Sequence, residues 1–175
     1  MLHTLAWKVT HGEPLPEFIN LQGKDAAVVC SYANSPRKLN AVTMTIHGHS
    51  ATAQAIVMRN YLAALDELAH PAPDQGGSVI VYPVSSLRSC KEQEAACNGI
   101  CHHGCAGCPG LCAPCGHSGH QYGACFDSHI AKHPDRTYPQ AYQRWKAVMI
   151  KHGFNNFAGW ERGSDTMHTS WQITV

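Results

Sequence analysis

The sequence predicts an α+β domain with a small, mostly antiparallel sheet, two helices and an inserted Cys/His-rich metal-binding module. Three observations predict it: alternating apolar residues at several points, two stretches of helical periodicity, and eight of the nine cysteines gathered within 36 of the 175 residues. A chain of this length can bury a core of its own. We expect residues 1–87 to form the first part of the core, 88–136 the insertion, and 137–175 a helix and strand that complete the core.

Period-two alternation and short apolar runs predict five strands. They cover residues 5–9, 26–32, 42–46, 78–84 and 167–175. Helical periodicity predicts two helices. The first follows Ser50, which can act as its N-cap, and its apolar residues recur every three or four positions until Pro71. The second begins near residue 137 and ends before Gly153.

The composition excludes several classes of protein. A net charge of +1 and a charged fraction of 14% are typical neither of a polyanion-binding chain nor of a disordered acidic one. The N-terminal residues do not resemble a secretion signal, and no apolar run reaches the roughly 18 residues of a membrane span. We therefore expect a cytoplasmic, reducing compartment without membrane insertion, where clustered cysteines bind metal more often than they form disulfides.

The cysteine-rich segment predicts a metal centre. It contains two C-x-x-C units, separated by three residues, and turn-forming residues follow each unit. Zinc in proteins takes four ligands in a tetrahedron, so eight thiolates with nearby histidines fit about two zinc ions. The spacing does not say which ligands share an ion. The predicted ligands are Cys90, Cys97, Cys101, Cys105, Cys108, Cys112, Cys115, Cys125, His117 and His120.

Cys30 stands apart from this segment in the apolar run AAVVCSY. A single cysteine in such surroundings is typical of a buried core thiol, and we interpret Cys30 in that way.

An iron-sulfur cluster is the alternative cofactor. The C-x3-C-x2-C spacing of Cys101, Cys105 and Cys108 resembles the cluster-binding motif of radical SAM enzymes. The resemblance covers eight residues, and a chain of 175 residues with the motif past its midpoint cannot build the large barrel of those enzymes. It therefore implies a plain cluster, one that stabilises a structural subunit of a larger assembly.

Basic residues are concentrated just after the cysteine-rich segment. Residues 129–160 hold five lysines and arginines against one acidic residue, and aromatic side chains such as Tyr142 and Trp145 are interleaved with them. This mixture favours nucleic-acid binding, whereas the alternative is that both aromatic rings face the core. The predicted contacts are Lys132, Arg136, Arg144, Lys146 and Lys151.

Two functions from different classes follow. The first is a structural metal module that binds a nucleic acid or a protein partner. The second is a metal-dependent hydrolase that uses histidines, such as His47, His49, His117 or His120, with an acid such as Asp127. The known HExxH, GxSxG and phosphate-loop motifs are missing from the sequence, so the first function is favoured. The sequence indicates no oligomeric state.

Overall fold

The computed structural model describes residues 2–75, 77–108, 112–132, 138–158 and 167–171. The predicted α+β class is confirmed: this part of the chain holds five helices and two antiparallel sheets. The helices are α1 (Leu2–His11), α2 (Ala26–Ala33), α3 (Ala55–Ala69), α4 (Cys90–Cys101) and α5 (Tyr138–Lys151). The strands are β1 (Ala41–Ile46), β2 (His49–Gln54), β3 (Ile80–Ser85), β4 (Cys125–Lys132), β5 (Phe154–Ala158) and β6 (Met167–Trp171).

The larger sheet has the strand order β3-β4-β6-β5, and every pair in it is antiparallel. In the central pair, Asp127 of β4 lies directly opposite His168 of β6, and Cys125 lies opposite Ser170. Directly opposed residues of an antiparallel pair project from the same face of the sheet. Both pairs therefore share one face.

The other face of the sheet is covered by the core. Phe126 of β4 stacks on Tyr61 of α3 with ring centroids 3.8 Å apart, and the Tyr61 hydroxyl lies 2.8 Å from Ser128 Oγ. Tyr142 and Trp145 of α5 are fully buried beside them. The packing behind β4 thus confirms the alternative that these two aromatic residues of α5 face the core.

Several predicted elements are confirmed. Strands at 42–46 and 78–84 correspond to β1 and β3, the helix from about residue 137 is α5, and the closing strand is β6. Residues 172–175 of that last prediction lie outside the described residues. The segments 42–46 and 167–171 alternate with a period of two and α5 has a period of about 3.6, whereas 78–84 is a short apolar run that follows a turn-rich stretch.

The two N-terminal strand predictions were wrong, because both segments are helices. In α1, Leu5 and Val9 lie four residues apart on the face that packs against the core, whereas Trp7 between them is 51% exposed. In α2, Val29 and Ala33 are buried with the same spacing. A short apolar run does not distinguish a strand from a buried helix, and tertiary packing decides.

The helix predicted after Ser50 begins later than expected, at Ala55. Residues 49–54 instead form β2, which pairs with β1 through a turn at His47 and Gly48. Both turn residues have positive φ, 49° and 84°. Two-residue hairpin loops with this geometry match the twist of the strands, so the HxH sequence belongs to a hairpin rather than to a helix cap.

The cysteine-rich segment is crosslinked. Four disulfides join Cys30 to Cys90, Cys97 to Cys112, Cys101 to Cys108 and Cys105 to Cys115. The ninth cysteine, Cys125, is a buried free thiol. The interpretation of Cys30 as a core thiol was wrong, because its sulfur is bonded to that of Cys90. In the disulfide-bonded form, the crosslinks hold the cysteine-rich segment together, as we expected metal ions to do. A zinc or iron-sulfur site on the reduced cysteines stays a prediction.

Candidate metal centre

Three side chains that are distant in sequence converge at one end of the β4–β6 pair. His120 Nε2 lies 3.2 Å from Asp127 Oδ1, His168 Nδ1 lies 2.9 Å from the same oxygen, and the two nitrogens are 3.3 Å apart. The donor atoms of a tetrahedral zinc ion with bonds of about 2.0–2.1 Å are about 3.3 Å from one another. The three atoms therefore form a triangle with nearly the dimensions that one ion requires.

His120 is positioned by a short 3-10 turn, Gly119–Tyr122, that leads into β4. The turn ends at Gly123, whose φ of 64° permits the change of direction before the strand begins. His120 Nδ1 lies 2.7 Å from the carbonyl oxygen of Ser86 and donates its proton to it. That bond fixes the tautomer, so the lone pair of Nε2 faces Asp127 and His168.

His168 is oriented in a similar way from the neighbouring strand. Its Nε2 lies 3.1 Å from the hydroxyl oxygen of Ser170, two residues further along β6. Ser170 Oγ is itself 3.0 Å from Cys125 Sγ. With the Nε2 proton donated to Ser170, Nδ1 is the nitrogen that faces Asp127 and would bind an ion after losing its own proton.

Asp127 uses its two oxygens for different partners. Oδ1 faces both histidines, whereas Oδ2 accepts a hydrogen bond from Arg88 Nη2 at 2.5 Å. Arg88 lies between β3 and α4, and its Nε donates to Ser85 Oγ at 2.9 Å. Each of the three candidate ligands thus has a second partner that holds it in place, as metal ligands in proteins commonly do.

Before any ion binds, the electrostatics of the site keep a proton on His168 beside the Asp127 carboxylate, and a metal ion would have to displace that proton. Burial opposes ionisation of Asp127, but the charge and hydrogen bonds of His120 and His168 outweigh it and hold the pKa of the carboxyl far below its usual range. Burial lowers the pKa of His120 and favours its neutral form. Burial also disfavours the charged form of His168, but the hydrogen bonds to Asp127 and Cys125 outweigh it, so the pKa of His168 is raised.

The three ligands differ in exposure. The side chain of His120 is 4% exposed, that of Asp127 18% and that of His168 24%. The site is therefore closed on the side of the 3-10 turn and reachable from solvent on the side of β6. Closed structural sites use four protein ligands, whereas catalytic sites keep a position open for water or substrate, and three protein ligands with partial exposure fit the second kind.

The sequence prediction named part of this centre. His120 was predicted as a metal ligand, and Asp127 as the acid of the hydrolase alternative. Cys125 is not one of the three ligands, but its Sγ contacts the hydroxyl of Ser170, which in turn contacts His168. The exposed His117 and the seven other predicted cysteine ligands do not contribute to the three-residue cluster.

His168 was missed as a ligand because it appeared only as a polar residue of an alternating strand. The signal that could have found it is the pair of histidines His120 and His168 with Asp127 between them, but that signal requires knowledge of the β4–β6 register. The hydrolase histidines His47 and His49 lie in the β1–β2 hairpin, where His49 stacks on Tyr82 with centroids 4.1 Å apart.

The residues of the predicted nucleic-acid surface are not gathered into one cluster in the described part of the chain. Lys151 binds Glu67 with Nζ 2.9 Å from Oε2, and Lys146 Nζ lies 5.5 Å from the centroid of the Phe157 ring. Arg144 also lies on α5. Arg136 and the side chain of Lys132 lie outside the described part of the chain. Tyr142 and Trp145 are fully buried, so neither ring can stack on a base.

No known family model and no curated protein matches this chain. Among the described residues, no helix has both the length and the apolar character needed to cross a bilayer. The chemistry of the His120, Asp127 and His168 cluster is therefore the best guide to function.

Proposed function

We propose that the protein is a metal-dependent hydrolase that holds a zinc ion with His120, Asp127 and His168. One observation carries the proposal: three donor atoms lie 2.9 to 3.3 Å apart, and each ligand is oriented by a second hydrogen bond. Zinc hydrolases that cleave amide bonds use two histidines and a carboxylate with an open fourth position. An amide or ester bond is accordingly the proposed substrate class.

When bound, zinc at such a site supplies Lewis-acid chemistry, since it polarises a carbonyl and lowers the pKa of water to about 7. The residues of this chain do the rest. His120 would bind zinc as a neutral donor, His168 would first release its proton, and Asp127 would contribute one negative charge while Arg88 holds its second oxygen. The partial exposure of His168 leaves the approach for a substrate.

A general base for water is not present in the three-residue cluster, because its carboxylate is itself a ligand. Asp127→Asn keeps the shape of the side chain and removes the charge of the candidate ligand, so it should lose zinc and hydrolysis together.

A Ser-His-Asp relay is the other arrangement that the distances permit. Asp127, His168 and Ser170 are linked by contacts of 2.9 and 3.1 Å, which is the spacing of such a triad. Ser170 is only 1% exposed, however, and Cys125 Sγ and Asn156 Nδ2 also surround its hydroxyl. A substrate carbonyl cannot reach this oxygen, so the metal-dependent mechanism is favoured.

The disulfides also bear on the proposed location. Four disulfides are typical of an oxidising compartment and rare in the cytoplasm, so they favour a location outside the reducing compartment that we expected from the sequence. The nucleic-acid partner has less support, because the interleaved aromatic residues of α5 are buried. The proposed partner is a small or peptide-like substrate.

The deciding experiment measures metal content and hydrolysis in the disulfide-intact protein. We expect about one zinc ion per chain, lost in His120→Ala and His168→Ala and retained in His117→Ala, a control outside the cluster. Hydrolysis of a casein or amide-library substrate should follow zinc content. Zinc that survives both cluster variants but is lost when cysteines are replaced would instead support the structural module. Bound iron in place of zinc would indicate an oxygen-activating centre, which uses a similar donor set.

A further inference from the structure

The crosslinked segment lies directly against the residues that shape the metal centre. Two buried glutamines make the connection, Gln93 on α4 and Gln121 in the 3-10 turn that carries His120. In both glutamines the side-chain Nε2 donates to a disulfide sulfur or to a backbone carbonyl next to one. A buried amide satisfied in this way has a single preferred position, because any other leaves polar atoms without partners.

Gln121 joins the His120 turn to the disulfide between Cys30 and Cys90. Its Nε2 donates to Cys90 Sγ at 2.7 Å, and its Oε1 accepts from the backbone amide of Gly116 at 2.6 Å. Gly116 has a φ of 85°, and a Cβ there would lie 2.5 Å from Ala26 of α2. The helix α2, which carries Cys30, therefore packs closely against the residue whose amide binds Gln121.

Gln93 joins Arg88 to the disulfide between Cys97 and Cys112. Its Nε2 donates to the carbonyl oxygen of Ala113 at 2.9 Å and lies 3.4 Å from Cys112 Sγ. Its Oε1 accepts from Arg88 Nη1 at 3.4 Å. Since Arg88 holds Asp127 and its backbone amide also donates to the His120 carbonyl at 3.3 Å, this connection bears on two of the three ligands.

We propose that Gln93 and Gln121 are positioning residues for the metal centre. Gln93 links it to the disulfide Cys97–Cys112 and Gln121 links it to Cys30–Cys90, so that the two disulfides hold the metal-binding side chains in place. The inference rests on the proposed metal centre and extends it to the crosslinked segment. The segment thereby serves the site as a rigid support, since residues outside the first ring of ligands govern how tightly an ion is held. Cys101–Cys108 has no such role: among the described residues, neither glutamine donates to its sulfurs, and Cys101 Sγ lies 3.4 Å from the Cys97 carbonyl oxygen within the segment.

The test uses the full chain with its disulfides intact and Co²⁺ as the probe. Gln121→Met and Gln93→Met keep side-chain length and remove the polar ends. We expect each to weaken Co²⁺ binding by about tenfold. The double variant Cys101→Ser with Cys108→Ser is the matched control and should bind Co²⁺ as the wild type does. The visible Co²⁺ spectrum at saturation reports whether the same ligands still bind.

A merely structural role for the glutamines predicts a different result. The midpoint of thermal unfolding would then fall, whereas Co²⁺ affinity of the folded protein would match the wild type, and that outcome overturns the proposal. If a glutamine variant does not fold, the double variant Cys30→Ser with Cys90→Ser provides the second measurement, with the same tenfold loss expected. If the wild type itself binds no Co²⁺, the proposed function fails rather than this extension of it.

Discussion

Asp127 shows how much of the site depends on one residue. One of its oxygens faces two histidine nitrogens within 3.2 Å, and the other accepts from Arg88. The strand supplies this arrangement, because Asp127 projects from the face opposite the core residues Phe126 and Ser128. A carboxylate held in this way stays ionised and carries its charge toward the candidate ion.

At the residue scale we predict the effect of losing the arginine partner. Arg88→Met frees the second oxygen of Asp127, so the carboxylate can rotate away from the histidines. Zinc affinity should fall 10- to 100-fold, while the stoichiometry of about one ion per chain is kept at high zinc. Competition with a chromophoric chelator measures the affinity. Arg59→Met, at an arginine that instead bonds backbone carbonyls of α1, should leave it unchanged.

A weaker effect is expected at the partner of His168. Ser170→Ala removes the hydroxyl that accepts the Nε2 proton, at a contact of 3.1 Å. We expect a loss of zinc affinity at the lower end of the range for such partners, about tenfold. If Ser170→Ala keeps zinc but abolishes hydrolysis entirely, the serine acts as a nucleophile, and the metal-dependent mechanism would be contradicted.

At the scale of elements, α4 begins with a capping box. Ser89 Oγ accepts from the Glu92 amide at 3.2 Å, and Glu92 Oε2 accepts from the Ser89 amide at 2.6 Å. The bonds to Ser89 outweigh burial and lower the pKa of Glu92 below its usual range. The first turn of α4 contains Cys90 and Gln93, so this cap also secures the start of the crosslinked segment.

The pH dependence of the cap follows from that lowered pKa. A carboxyl with a lower pKa in the folded state stabilises the fold above its unfolded pKa, about 4.3, and loses the contribution as the pH falls through the folded pKa. Glu92→Gln retains the geometry and removes the charge. We expect wild type to exceed Glu92→Gln in unfolding free energy by about 0.5 kcal/mol at pH 7. Urea titrations should show the two proteins converging as the pH falls below about 4.

The β1–β2 hairpin provides a second prediction at this scale. His47 has a φ of 49°, a conformation that asparagine and glycine adopt more readily than histidine does. His47→Asn should therefore raise the unfolding free energy by about 0.5 kcal/mol. His70→Asn, at an exposed histidine with ordinary φ, is the control. An unchanged midpoint for His47→Asn would contradict the hairpin turn.

At the scale of the whole molecule, the disulfides are the main constraint that the fold places on distant segments. Cys30 and Cys90 are separated by 60 residues, and their bond ties α2 to the start of α4. In the chain-entropy model, a crosslink of that span stabilises the native state by about 4 kcal/mol. The double variant Cys30→Ser with Cys90→Ser should lose most of that free energy in a denaturant titration.

Thiol counting separates the crosslinked form from a zinc-thiolate form. In denaturant without reductant, and with chelator present, the disulfide-bonded protein should expose one reactive thiol, that of Cys125, among nine cysteines. After reduction all nine should react. Nine reactive thiols before reduction would mean that the segment is not crosslinked, and the predicted zinc or iron-sulfur site on the cysteines would then take precedence.

The sequence by itself determined those secondary-structure elements whose signal lies in a few neighbouring residues. The amphipathic face of α5, the strands β1 and β3, and the concentration of cysteines were all readable, because side-chain periodicity and spacing are properties of the chain itself. Where the pattern was short or apolar throughout, as at α1 and α2, it did not distinguish helix from strand. The metal prediction named His120 as a ligand and Asp127 as an acid of the hydrolase alternative, but it did not name His168.

Only the tertiary structure decided the rest. Asp127 and His168 are 41 residues apart and meet through the register of β4 and β6, while His120 reaches them through a turn. Disulfide partners likewise depend on which helices approach one another, as Cys30 and Cys90 show. Such contacts join segments whose separation along the chain leaves no local trace, because strand register and packing are set by the burial of the whole core.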